Sequence, residues 1–243
     1  GQACRALAAD PAVRLDAIAG MALTTQRSTV VVLDAGARPL RPAIVWLDQR
    51  RTEGLRPIGG VNGLAFRALR VADTVATFQA EAEANWLAAN EPATWAQTEH
   101  YLLLSGFLAH RLVGRFVDAD AAQVGYLPFD FKQRRWAKAS DWKWRAIPVE
   151  REMLPDLVPT GDPLGELTAA AATHLGLPVG LPVIAAGQAA GCAGPTGSPR
   201  GLTGVSSSRA LVALRTAGRT VGKRRGSRPL DRRGRMERIS RPG

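Results

Sequence analysis

An α/β fold is predicted for residues 1–186, with a basic tail at 187–243, on three observations. Short apolar, β-branched runs at 17–25, 30–33 and 181–186 are interleaved with segments of helical period. Two of the helical segments carry stop signals, Gly114 after 100–112 and Gly176 after 167–175. The charge is also partitioned. Residues 200–243 hold thirteen Lys or Arg and two acids, whereas residues 1–199 hold 19 of each sign. The whole net charge of +11 therefore belongs to the tail.

In chain order, residues 2–9 read as the end of an amphipathic helix broken by Asp10-Pro11. Residues 17–25 form a short apolar strand. Val30–Leu33 and Ala43–Trp46 flank an Asp-Ala-Gly turn and predict a β-hairpin. Residues 62–69 are weakly helical. Residues 77–89 predict one helix, with Phe78, Ala82 and Trp86 spaced by four along one face, ended by Pro92. His100–Leu112 predicts another, with Leu102, Leu103, Phe107, Leu108 and Leu112 at helical spacing. Residues 114–150 are rich in aromatics and turns. An alanine-rich helix over 167–175 takes Thr168 as its N-cap, and 181–186 is an apolar strand.

The chemistry concentrates at the ends of the predicted hairpin. Gln26 and Arg27 open one strand, and Trp46, Asp48 and Arg50 close the next. Strand pairing would gather an amide, a guanidinium fork, an indole face and a carboxylate on one edge. That mixture suits a polyhydroxylated ligand, since hydroxyls need donors and acceptors together and a C–H face stacks on indole.

These residues resemble the FGGY carbohydrate kinases, the family of glycerol kinase and xylulokinase. The resemblance rests on Gln26-Arg27, on the run Pro42 to Arg50 (PAIVWLDQR), on Tyr101 to Gly114 with the following turn to Asp118, and on Gly161 to Val183. It covers residues 1–186. It implies an RNase H-like fold of the actin/hexokinase type, here an incomplete N-terminal domain, whose sugar site lies in the cleft to a second domain. It also implies ATP and Mg²⁺ as cofactors and a sugar or polyol as partner. Gln26, Arg27, Trp46, Asp48 and Arg50 are then the substrate-binding candidates, joined by Phe78 and Gln79 near the position of a sugar-contacting aromatic. Ser28 stands where glycerol kinase has an acid, which implies a different preferred polyol. Glu83 stands where a lysine is common.

Three departures from the family's pattern set further expectations. The strand carrying a D-x-G-T or D-x-G-S element does not occur. Where the family places its general-base aspartate, after the strand at 182–186, this sequence reads Ala186-Gly187-Gln188-Ala189-Ala190-Gly191, with no acid between Glu166 and Asp231. A general base must accept a proton, and an amide does not at neutral pH. From Ala193 onward the chain turns to Gly, Ser, Pro and Arg in place of a second domain. Disorder is the expectation, and a shifted reading frame is one origin for it. Together these predict a fragment with little or no kinase activity. A non-catalytic sugar-binding remnant and a basic-tailed nucleic-acid binder are the alternatives.

Other classes are less favoured. Cys4 and Cys192 lack metal-ligand spacing, and the three histidines are isolated. No apolar run approaches the ~20 residues of a membrane span, so a cytoplasmic setting is the expectation. The basic tail lacks interleaved aromatics and predicts adventitious, salt-dependent nucleic-acid binding.

Overall fold

The structure, a computed structural model, describes residues 1–187 and, beyond them, the backbone of two strands at 202–207 and 210–216. In chain order the elements are α1 (Gln2–Ala8), β1 (Ile18–Thr25), β2 (Val30–Leu33), α2 (Gly60–Ala68), α3 (Ala72–Glu81), α4 (Glu83–Asn90), α5 (Pro92–Trp95), β3 (His100–Leu103) and α6 (Leu104–Val113). They continue with β4 (Val117–Ala119), β5 (Phe129–Asp130), β6 (Arg135–Trp136), α7 (Lys143–Ala146), β7 (Asp156–Val158), β8 (Pro163–Glu166), α8 (Ala169–Leu175), β9 (Pro182–Ala185), β10 (Leu202–Ser207) and β11 (Ala210–Thr216).

The main sheet has the order β10-β11-β1-β9-β8. β1 and β9 are parallel, with Ala22 opposite Ile184, and β8 returns antiparallel to β9. Met21 and Val183 on this sheet are buried against Ala109 and Val113 of α6 and Ala172 and Leu175 of α8. Gly114 and Gly176 end α6 and α8 with φ of 72° each, the left-handed conformation that glycine adopts without strain. Thr168 caps α8 as predicted, its Oγ1 accepting from the Ala171 N–H.

β2 pairs antiparallel with β3, from Val30↔Leu103 to Leu33↔His100. Its residues alternate between two cores. Val30 and Val32 join a cluster with Tyr101, Leu87 and Phe129, while Val31 and Leu33 pack with Leu102. Burial on both faces explains why β2 is an unbroken apolar run.

The structure corrects four expectations. The second arm of the hairpin is no regular strand. Ile44 exchanges both backbone hydrogen bonds with Val30 and Leu40 donates to Val32, but Pro39 and Pro42 lack donors, so pairing stays at isolated bridges. The helix expected over 77–89 breaks at Ala82, which is extended (φ −67°, ψ 118°). Asn85 holds that break, its Nδ2 donating to the carbonyls of Gln79 and Ala146. Residues 100–103 form a strand ahead of a shorter helix. Pairing with β2 overrides the local helical spacing, since Tyr101 and Leu102 then reach opposite cores.

The fourth correction concerns the tail. Leu202–Ser207 and Ala210–Thr216 are strands, and β11 pairs with β1 from Ile18↔Thr216 to Thr25↔Ala210. Composition missed them because the edge of β1 supplies the backbone partners of β11, which in turn supplies those of β10. Residues 188–201, 208–209 and 217–243 lie outside the described residues, and so does the disorder expected there.

Candidate functional site

The site is built on the segment that follows the β2 turn. After Ile44 the chain swings outward, leaving Trp46 57% exposed. The Asp48 N–H donates to the Val45 carbonyl, and Asp48 Oδ1 accepts from both Arg50 N (3.0 Å) and Arg50 Nε (2.7 Å). That turn fixes the Arg50 guanidinium 4.1 Å over the ring of Trp86 on α4. Thr52 N then donates to the Ala80 carbonyl, tying the loop to α3.

α3, α4 and the turn at Gly125 close the other side. Arg51 Nη2 pairs with Glu81 Oε1 at 3.0 Å, and the Tyr126 hydroxyl donates to Glu81 Oε2. Gly125 has φ 90°, and a Cβ there would lie 3.3 Å from Ser28 Oγ, so glycine lets this turn approach the start of β2. The result is a cavity of about 450 Å³ whose wall includes Ser28, Trp46, Asp48, Arg50, Glu83 and Tyr126.

The electrostatics of this cavity are uneven. Arg50 holds the Asp48 carboxyl below its ordinary range, chiefly through their hydrogen bond. Glu83 goes the other way. Burial, reinforced by Asp48 and Glu81, raises it to about 7. Tyr126 is pushed up to about 12 by burial and its bond to Glu81.

The cavity wall thus includes Trp46, Asp48 and Arg50 among the candidates, but not Gln26, Arg27, Phe78 or Gln79. Gln26 donates through Nε2 to Thr29 Oγ1. Arg27 is exposed. Phe78 lies behind the wall, edge-on to Tyr126 (5.4 Å) and Trp142 (5.3 Å). Gln79 is buried, with its Nε2 3.5 Å from the Arg56 carbonyl. Sequence reasoning missed Glu81, Glu83, Tyr126 and Trp86 as a group, because the break at Ala82 and the Gly125 turn bring them together. One signal was readable: an acid at 83 where the resembled family commonly carries lysine.

A larger cavity of about 720 Å³ opens beside β1, α6 and α8, with Met21, Leu23, Phe107 and Leu175 in its wall. Its lining is mostly apolar, with His110, Arg111, Thr168 and His174 as its polar side chains and no carboxylate among them. Among the described residues no group of three metal-ligating side chains is placed to hold a metal ion, and no helix is long and apolar enough to cross a membrane.

Comparison with known proteins bears on the family and the fold. Residues 1–193 match the N-terminal domain of the FGGY family of carbohydrate kinases. The chain belongs to that family. It is 27% identical to a xylulose kinase from Lactococcus lactis over 64% of this chain and 30% of that protein. It is 30% identical to an L-fuculokinase from Escherichia coli over 67% of this chain and 34% of that protein. The chain thus spans about a third of the length of these curated relatives. The solved xylulose kinase from Rhodospirillum rubrum superposes with a TM-score of 0.57 at 21% identity, covering 88% of this chain and 51% of that one. A carbohydrate kinase from Novosphingobium aromaticivorans gives 0.51 at 15% identity, covering 89% and 46%. Both share the mixed α/β fold of this FGGY domain.

Proposed function

We propose that this FGGY domain, of the RNase H-like type, presents the acceptor site of a carbohydrate kinase and holds a neutral sugar or polyol in the cavity beside Trp46. The observation that carries this reading is that Trp46, Asp48 and Arg50 line one cavity together with Ser28 and Tyr126. An exposed indole offers a stacking face for sugar C–H groups. Asp48 supplies acceptor lone pairs, and Ser28 and Tyr126 supply hydroxyls that donate or accept. The relatives named xylulose kinase and L-fuculokinase favour a ketose as occupant.

In the family, ATP supplies the phosphoryl group and Mg²⁺ neutralises its charge. The cavity does not fit the metal, because Asp48 and Glu81 already face arginines. Its residues instead orient the acceptor, and positioning is a large part of what phosphoryl transfer requires. Turnover also needs a group to take the acceptor's proton. The stretch Ala186-Gly187-Gln188-Ala189-Ala190-Gly191 carries no acid where the family's aspartate is expected, and none follows Glu166 before Asp231. The chain by itself therefore binds a sugar without transferring phosphate. A cytoplasmic setting goes with this reading.

A panel of pentuloses, deoxyhexuloses and polyols, followed by tryptophan fluorescence and by ADP release with MgATP, tests it. Saturable quenching by a panel member without ADP release is expected. No binding by any of them would refute the acceptor site. Sugar-dependent ADP release would refute the inactivity.

A further inference from the structure

Three carboxylates surround the cavity, and two are held by arginine: Asp48 by Arg50 at 2.7 Å and Glu81 by Arg51 at 3.0 Å. Among the described residues Glu83 makes no ion pair, and the hydrogen bond its carboxyl receives comes from its own backbone N–H. Its position follows from the break at Ala82. Within a continuous helix, residues two apart do not share a face. The extended Ala82 lets Glu81 and Glu83 line the same cavity.

We propose that Glu83 is the specificity-determining residue of this pocket, admitting neutral acceptors that donate hydroxyls and refusing anionic ones such as aldonates. This rests on reading the cavity as the acceptor site. With Glu83 ionised, three acids face two arginines, and both guanidinium groups are turned onto protein carboxylates. A ligand carboxylate would thus meet uncompensated like charge in a partly desolvated space, while a hydroxyl would find an acceptor.

The groups around Glu83 are known from each packed element. Asp48, Arg50 and Arg51 come from the loop, Glu81 from the end of α3, Tyr126 from the Gly125 turn and Tyr101 from β3. Burial first, then Asp48 and Glu81, place the Glu83 carboxyl at about 7. Its charge is therefore present above neutrality and lost below it. Anionic acceptors should gain affinity as pH falls, and neutral ones should change less.

The test uses the full chain and tryptophan fluorescence, with xylulose, fuculose and xylitol as neutral probes and xylonate and fuconate as anionic ones. The expected preference for a neutral probe over its anionic counterpart is at least about tenfold at about pH 8, shrinking about tenfold by about pH 5.5. Glu83→Gln should show the reduced preference at both pH values, and Glu83→Lys should favour the aldonates. If Glu83→Gln keeps the wild-type preference and pH profile, the inference falls and the acceptor site stands. If the wild type binds no neutral probe, the acceptor site falls and takes the inference with it. Should Glu83→Gln not fold, the wild-type profile decides: aldonate binding that is flat with pH overturns the inference.

Discussion

Two regions of this molecule each hold an acid whose pKa desolvation raises, and they use it differently. Under α6, Asp118 is 1% exposed. It accepts from Ser105 Oγ at 2.7 Å, Gln123 Nε2 at 2.8 Å and the Ala119 N–H at 2.8 Å. Burial lifts its pKa to about 6 in spite of those donors. In the lobe built by the 45–52 loop, α3 and α4, Glu83 is lifted to about 7 without a side-chain donor. A raised pKa alone therefore does not mark a functional acid. Partner count separates them: the acid that accepts from Ser105, Gln123 and Ala119 is part of the framework, and the one that among the described residues is bonded by its own backbone N–H alone faces a cavity.

The largest expected effect tests the framework side. Asp118→Ala removes the acceptor of the buried Ser105 hydroxyl and Ala119 N–H, while Gln123 Nε2 keeps only the Ala119 carbonyl, and should cost about 3 kcal/mol in urea unfolding. A cost well under about 1 kcal/mol would break the contrast with Glu83.

The second prediction concerns pH. A glutamate ordinarily titrates near 4.5, and Glu83 in the folded chain near 7. The folded state holds the proton more tightly, so stability is highest below the lower value and falls as pH rises through the upper one. Asp118, raised from 3.8 to about 6, adds a fall of the same sign at lower pH. Glu83→Gln should remove the upper step, on the order of 2 kcal/mol after allowance for partial exposure. Urea midpoints between about pH 4 and 8 for both proteins check this. Parallel curves would mean that Glu83 does not titrate as described.

A smaller effect sharpens the lobe side. Trp46→Ala should weaken sugar binding about tenfold and leave the unfolding midpoint nearly unchanged, because the side chain is mostly exposed. The smallest tests the framework without touching a charge. Thr168→Ala removes the acceptor for the Ala171 N–H and should cost about 1 kcal/mol, with sugar binding unaffected.

The framework region was the more legible in sequence. Its signals are local: the Thr168 cap, the glycines that end α6 and α8, and the apolar runs of β1, β2 and β9. Local rules failed where a distant partner chose the conformation. His100–Leu103 carries helical spacing but pairs with β2. The run at 77–89 looks continuous but breaks where Asn85 finds the Ala146 carbonyl. The tail composition points to disorder, yet Ala210–Thr216 pairs along β1 and Leu202–Ser207 pairs along Ala210–Thr216.

The candidate site divides the same way. The sequence by itself determined the family, the run of Trp46, Asp48 and Arg50, and the missing acid after Ala186. These depend on residue identity at fixed spacing along one segment. Tertiary structure decided that Gln26, Arg27, Phe78 and Gln79 stand off the cavity wall. It also decided that Glu81, Glu83 and Tyr126 complete that wall. The reason is physical: a pocket joins residues from segments distant in sequence, and their meeting depends on one extended alanine and one left-handed glycine whose consequences appear only after packing.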